Sequence, residues 1–266
     1  MFSFLDRITN RKSIHTTTLK GSAEAVVDFS GTPLARDYPR DKFYIKVIDS
    51  LFTKEECNAL IRFAETGSSP WKQAALNYGL GSNESYVNTK YRNSERILKF
   101  DHDVARWIYE RLWPYVSDVN VLECRGKWEG IVRGPGVIPG ERWKMVGANE
   151  RLTFLKYGPG NYFKEHFDGQ IALPDGRNAR ITVQVYLNGD DELEGGATRL
   201  WSGDMKRWMD VEPRVGRVLI FQQRGVLHSG EEVKKGYKYA LRTDLLYVTE
   251  ESKDDGEEDT RMEVDA

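Results

Sequence analysis

From Arg151 to Val248 the chain is a series of short runs of β-branched and aromatic residues: Arg151–Lys156, Ile181–Leu187, Thr198–Trp201, Arg217–Phe221 and Tyr239–Val248. Clusters of Gly, Pro, Asn and Asp separate them. Short runs with turn chemistry between them predict antiparallel strands that close into a two-sheet roll or barrel. One run also says which side faces what. Ile181, Val183, Val185 and Leu187 alternate with Thr182, Gln184 and Tyr186, so one face of the strand is apolar and the other carries hydroxyl and amide groups. A polar face turned into a barrel needs a ligand or water to satisfy it.

The first half has a different pattern. After a strand over Phe43–Ile48, Thr53-Lys54-Glu55-Glu56 is a capping box that opens a helix to about Glu65, with Cys57, Leu60, Ile61 and Ala64 on one stripe. A second helix is expected from His102 to Leu112, with Val104, Trp107, Ile108 and Leu112 inward and Pro114 marking its end. The stretch Trp71–Glu95 is polar, and Glu123–Gly147 holds six glycines with Pro135 and Pro139, which is loop chemistry. The expected class is α+β, a β-roll supported by helices from the N-terminal half. The expected organisation is an irregular lead-in over 1–40 with one short strand near Ala25–Phe29, and a single domain over 41–249. Helical and loop support fills 41–148 of that domain and the β core fills 149–249, with the ordered body starting near Phe43. Residues 250–266 form an acidic tail expected to be disordered.

Composition narrows the chemistry. Two cysteines in 266 residues, Cys57 and Cys124, exclude a disulfide framework, a four-cysteine zinc site and an iron–sulfur cluster. The formal net charge is -2, but residues 250–266 carry nine acids against Lys253 and Arg261, so the body is mildly basic. That excess is too weak to argue for a nucleic-acid partner. No apolar run reaches the roughly 18 residues of a membrane span. A soluble intracellular protein, cytoplasmic or nuclear, is expected. Arg7, Arg11, Lys12 and Lys20 against Asp6 leave a mitochondrial presequence as the alternative.

Of the four histidines, two sit where a metal would need them. His166-Phe167-Asp168 sets an imidazole and a carboxylate two residues apart, on one face of an extended strand. His228 follows the Arg217–Phe221 run, and an antiparallel roll can return it beside that pair. Two histidines and one carboxylate make the facial triad of non-haem Fe(II) oxygenases, with positions left open for other ligands; a satisfied structural histidine is the bland alternative. An iron(II) site of this kind that chelates a 2-oxo dicarboxylate needs a further cation about one cosubstrate length away. Lys238 supplies one, and Lys238, Ala240 and Arg242 share a strand face, so either cation could take the carboxylate.

These residues resemble the 2-oxoglutarate- and Fe(II)-dependent dioxygenases of the prolyl 4-hydroxylase type. The matching stretches are Tyr157-Gly158-Pro159-Gly160 with Tyr162, His166-Phe167-Asp168-Gly169 and Ile181–Asn188 ending in Tyr186-Leu187-Asn188. Gly195-Gly196-Ala197-Thr198, Gly216–Phe221, His228 and Gly236-Tyr237-Lys238 complete the set. The resemblance implies a double-stranded β-helix (jelly-roll) core with helices packed on its outer sheet. It assigns His166, Asp168 and His228 to iron and Lys238 to the C5 carboxylate of 2-oxoglutarate, with Arg242 as the competing cation. Tyr157, Thr182 and Tyr186 become hydroxyl contacts to the cosubstrate. The implied requirements are Fe(II), 2-oxoglutarate and dioxygen, with ascorbate in a supporting role.

The implied reaction is hydroxylation of a C–H bond, first of all in an amino-acid side chain of prolyl type in a protein or peptide. The segment Ser85–Arg96, with Tyr86, Tyr91, Arg92 and Arg96, is the expected substrate loop. The alternatives are a small-molecule substrate, with Gly126–Gly147 and its Trp128 and Trp143 as a lid, and a catalytically silent jelly-roll binding module. No membrane partner is expected.

Overall fold

The computed structural model describes residues 24–26, 29–39, 42–67, 70–77, 85–133, 138, 140–189 and 192–250. Most of the expected lead-in and all of the tail beyond residue 250 lie outside the described residues.

Two antiparallel sheets pack against each other. The larger, of ten strands, runs in the order Glu24–Val26, Ile45–Ile48, Val218–Gln222, Asn178–Tyr186, Lys238–Glu250, Arg151–Tyr157, Glu95–Phe100 and Lys72–Gln73. Arg142–Ala148 also pairs with Lys238–Glu250, and Val121–Glu123 with Arg142–Ala148. The smaller sheet has five strands: Trp208–Val211, Thr198–Trp201, His228–Gly230, Tyr162–His166 and Arg92–Asn93. This is a jelly-roll. The chain passes between the sheets at Ser94, which is fully buried and separates Arg92–Asn93 in one sheet from Glu95–Phe100 in the other.

Alternation along the central strands decides what each face meets. Ile181, Val183, Val185 and Leu187 join Leu241 and Leu245 in the main apolar core, while Thr182, Gln184, Ala240 and Arg242 turn to a cavity between the sheets. The first helix, Lys54–Glu65, buries Cys57, Leu60 and Ala64 in that same core. Its capping box forms as the sequence implies: the Glu56 N–H donates to Thr53 Oγ at 3.2 Å and the Thr53 N–H to Glu56 Oε2 at 2.8 Å. Arg111 of the second helix donates to Glu56 Oε1 at 2.8 Å, so the cap residue also ties the two helices together.

The second helix runs His102–Val116, past Pro114 rather than ending before it. Proline removes only the N–H that would meet the Glu110 carbonyl, and it does so in the last turn. Val116 is fully buried in the core and the Ser117 N–H donates to Trp113 O, which together hold the turn closed.

The packed body reaches back to Phe29, ahead of the boundary expected near Phe43. Phe29, Leu34 and Tyr38 are buried in a second cluster with Tyr186, Leu200, Val211 and Phe221, and the Tyr38 hydroxyl donates to Trp201 O at 2.6 Å. Aromatic anchors on irregular backbone leave no periodicity to detect.

The described residues of the Gly-rich stretch do not form the lid that the small-molecule alternative expected. They form a short helix, Glu129–Val132, and the strand Arg142–Ala148; Trp128 and Trp143 are buried in the main core. None of them lines the cavity between the sheets. Among the described residues, no helix is long and apolar enough to cross a membrane.

Candidate active site

His166 and His228 are cross-strand partners in the smaller sheet. Asp168 lies just beyond the end of the strand Tyr162–His166, in the irregular segment that follows, rather than within it. The Nδ1 of His166 meets Lys164 O at 2.7 Å and that of His228 meets Val226 O at 3.1 Å. A carbonyl can only accept, so both Nδ1 atoms carry the proton and both Nε2 atoms present a lone pair. His166 Nε2 is 3.8 Å from Asp168 Oδ1, and His228 Nε2 is 3.9 Å from Asp168 Oδ2. The imidazoles are held in orientation by aromatic neighbours. His166 stacks on Phe163 with centroids 3.6 Å apart, and Phe221 meets His228 edge-on at 4.7 Å.

The electrostatics suit a divalent cation. Burial pushes His166 down to about 3, with the nearby His228 adding to the effect against the pull of Asp168. Burial lowers His228 too, although Asp168 opposes it. Both rings are therefore neutral ligands. Burial by itself would raise Asp168, but Arg242, the two imidazoles and the Thr182 hydroxyl outweigh it and keep the carboxylate ionised. The three ligand atoms lie within 4.8 Å of one another. Two neutral nitrogens and one carboxylate oxygen, with no thiolate, fit iron(II).

Lys238 and Arg242 point into the same cavity from alternate positions on the central strand, their Cα atoms about 13 Å apart at the usual strand rise. They serve different ends of it. Arg242 Nη2 lies 3.3 Å from Asp168 Oδ1 and 3.4 Å from Asp244 Oδ1, so it pairs with the carboxylate of the candidate metal site. Lys238 is 3 % exposed; its Nζ donates to Gly196 O at 2.5 Å and lies 5.2 Å from the Tyr157 ring and 5.4 Å from that of Tyr186. Among the described residues no carboxylate pairs with it. Burial lowers its ammonium to about 8, against weak support from Glu212 and Glu231. Gly196 makes room for this lysine: at φ +75°, a Cβ there would meet Lys238 Cδ at 3.2 Å and Val233 Cγ2 at 3.0 Å.

The three expected hydroxyls part company. Tyr157 lines the cavity. Thr182 lines it as well but donates to Asp168 Oδ2 at 2.7 Å, which commits it to the carboxylate of the candidate metal site. The fully buried Tyr186 donates to Thr198 Oγ at 2.7 Å. Thr198 was not singled out by the sequence beyond its place in Gly195-Gly196-Ala197-Thr198. Its Oγ also accepts from Gln184 Nε2 at 2.8 Å, and the residue lines the cavity.

Arg92, on the expected substrate loop, lines the cavity with its guanidinium 4.5 Å above the Phe163 ring. Arg96 turns away to Ala75 O. Tyr91 and Tyr162 sew the loop to the strand carrying His166: the Tyr91 hydroxyl donates to Glu165 O at 2.7 Å, and the Tyr162 hydroxyl to Thr89 O at 3.3 Å.

Residues 152–243 match the model of the 2OG-Fe(II) oxygenase superfamily. A search of the curated proteins finds no match. Among solved structures, the prolyl hydroxylase of Trichoplax adhaerens in complex with a hypoxia-inducible-factor peptide fragment is similar with a TM-score of 0.50 at 16% identity, covering 76% of this chain and 82% of that one. The viral collagen prolyl hydroxylase of Paramecium bursaria Chlorella virus-1, solved with 2OG, matches with a TM-score of 0.48 at 21% identity, covering 77% of this chain and 96% of that one. A Pseudomonas putida prolyl-4-hydroxylase matches with a TM-score of 0.49 at 15% identity, covering 76% and 91%. These likenesses concern the fold.

Proposed function

We propose that this protein, an iron(II)- and 2-oxoglutarate-dependent dioxygenase by the match of residues 152–243 to the 2OG-Fe(II) oxygenase superfamily model, hydroxylates an amino-acid side chain, of prolyl type, in a protein or peptide. Iron(II) with 2-oxoglutarate bound supplies the oxidation of a substrate C–H bond by dioxygen, coupled to decarboxylation of the 2-oxo acid to succinate and carbon dioxide.

In this reading His166, Asp168 and His228 hold the metal, and Thr182 and Arg242 orient the carboxylate. Lys238 takes the C5 carboxylate at the far end of the cavity, with the Thr198 hydroxyl and Tyr157 beside it. The buried ammonium has no carboxylate of its own among the described residues, so a ligand that brings one relieves the cost of burying it.

The observation that carries a peptide substrate is the edge of the cavity. The segment Thr89–Arg92 is bonded along the strand that ends in His166, and apolar side chains stand exposed next to it: Tyr86 and Val87 just before the segment, and Phe167 between two metal-ligating residues. Exposed apolar side chains flanking the strand that carries His166 suit an extended chain better than an enclosed small molecule. The Trichoplax hydroxylase, of the same fold, holds a peptide fragment, which supports the reading. The silent-module alternative is set aside with the enzyme assignment.

The test is to treat a proline-containing peptide library and a cell-extract digest with the iron-loaded protein, 2-oxoglutarate and air. Mass spectrometry should then find peptides that have gained one oxygen atom. A hydroxylated small molecule, with no modified peptide, would overturn the proposal.

A further inference from the structure

Charge around the cavity does not balance once its two expected occupants are in place. Arg92, Lys238 and Arg242 line it, and Asp168 is the one carboxylate among the lining residues. The histidines are neutral, and an iron(II) ion and a 2-oxoglutarate dianion cancel each other. Lys238 faces the far carboxylate, and Arg242 is matched by Asp168 and by Asp244 behind it. Arg92 remains. It is half-buried, its Nε donates to Ser94 Oγ at 3.1 Å, and no carboxylate pairs with it among the described residues. The Nε of Arg242, which lines the same cavity, is buried without an acceptor among the described residues. A desolvated cation and an orphaned cationic donor are each costly to leave unmatched.

We propose that the Arg92–Arg242 side of the cavity is a subsite for an anionic group of the substrate, a carboxylate, carried within a side chain's length of the carbon that is hydroxylated. The guanidinium of Arg92 offers planar donors suited to a carboxylate, and its stacking on Phe163, next to the His166 ring, fixes the subsite relative to the metal. Burial lowers the basicity of Arg92 and Arg242 adds to this, against the opposing pull of the Tyr157 side chain, which bonds to it, and of Asp168. The subsite rests on the dioxygenase reading of the cavity, and on the peptide reading for the choice of probe.

The experiment uses the full chain loaded with Fe(II) and 2-oxoglutarate. Capped pentapeptides with a central proline are compared in pairs, with Glu or its neutral isostere Gln at each flanking position. Binding is followed without oxygen through the charge-transfer absorption of the iron–2-oxoglutarate complex, and turnover with oxygen through succinate. At one flanking position Glu should bind at least tenfold more tightly than Gln. Arg92→Met should reduce that preference below twofold, and Arg92→Lys, which keeps the charge, should retain its sign. Equal binding of Glu and Gln peptides at every position overturns the subsite, as does an unchanged preference in Arg92→Met. Weaker binding of 2-oxoglutarate itself to Arg92→Met, by more than threefold, overturns it too, since Arg92 would then serve the cosubstrate. If no peptide of either kind binds, the peptide reading fails, and N-acetylglutamate against N-acetylglutamine decides the subsite on its own: equal binding overturns it, and an Arg92-dependent preference for the acid upholds it.

Discussion

Thr182 donates its hydroxyl to Oδ2 of Asp168 across 2.7 Å, so a threonine on the larger sheet holds a carboxylate in the irregular segment that leaves the smaller one. Partners of this kind fix a ligand's orientation, and their loss typically lowers metal affinity tenfold or more. Thr182→Val, which keeps the shape, should weaken iron(II) binding by about tenfold in a chelator competition, while Thr182→Ser should stay close to the parent protein. Unchanged affinity in the valine variant would show that Arg242 orients Asp168 without help.

Removing a ligand should be more severe. His166→Ala and His228→Ala each leave two protein ligands, and iron should no longer co-purify or titrate at one equivalent. Succinate release from 2-oxoglutarate should then vanish, even without substrate. Full turnover in either variant would place the metal elsewhere.

Lys238→Met removes a buried charge-assisted contact, of the order of 1.5–3 kcal/mol, so the KM for 2-oxoglutarate should rise about tenfold to a hundredfold with iron binding intact. The pH dependence has a definite sign. In the empty site the ammonium is lowered to about 8, so it is charged below that pH and loses its proton above it. A dianion favours the charged form. Affinity for 2-oxoglutarate should be level below about pH 8 and decline as pH rises beyond it, and the methionine variant should lack that decline. A slope that survives in Lys238→Met would mean that another group carries it.

Gly196→Ala tests the same end of the cavity through the backbone. A Cβ at φ +75° would press on Lys238 Cδ from 3.2 Å, displacing the ammonium from the Gly196 carbonyl. Isothermal titration should show weaker 2-oxoglutarate binding at unaltered iron affinity.

Thr53→Ala is a control at a residue that does not line the cavity. Loss of one half of the capping box should cost about 1 kcal/mol in urea unfolding, with cosubstrate binding unchanged. A larger loss, with weakened binding, would mean that the first helix positions the cavity more directly than its contacts suggest.

Local sequence chemistry carried a large part of this protein. The Thr53–Glu56 capping box, the alternation from Ile181 to Leu187 and the shared face of Lys238, Ala240 and Arg242 each follow from the 3.6- or two-residue repeat of a backbone element, which needs no knowledge of the partner. With two cysteines, the donors for a metal had to be nitrogen and oxygen. Tertiary structure decided what these groups meet. The pairing of His166 with His228 depends on strand register, and so do the commitment of Thr182 to Asp168, that of Tyr186 to Thr198, and the pairing of Arg242 with Asp168. The continuation of a helix through Pro114 depended on a buried valine, and the burial of Trp128 and Trp143 away from the cavity depended on the face of the sheet that Arg142–Ala148 joined. A repeat tells a side chain which way to point; only long-range register, which joins strands distant in sequence, supplies the atom at the other end.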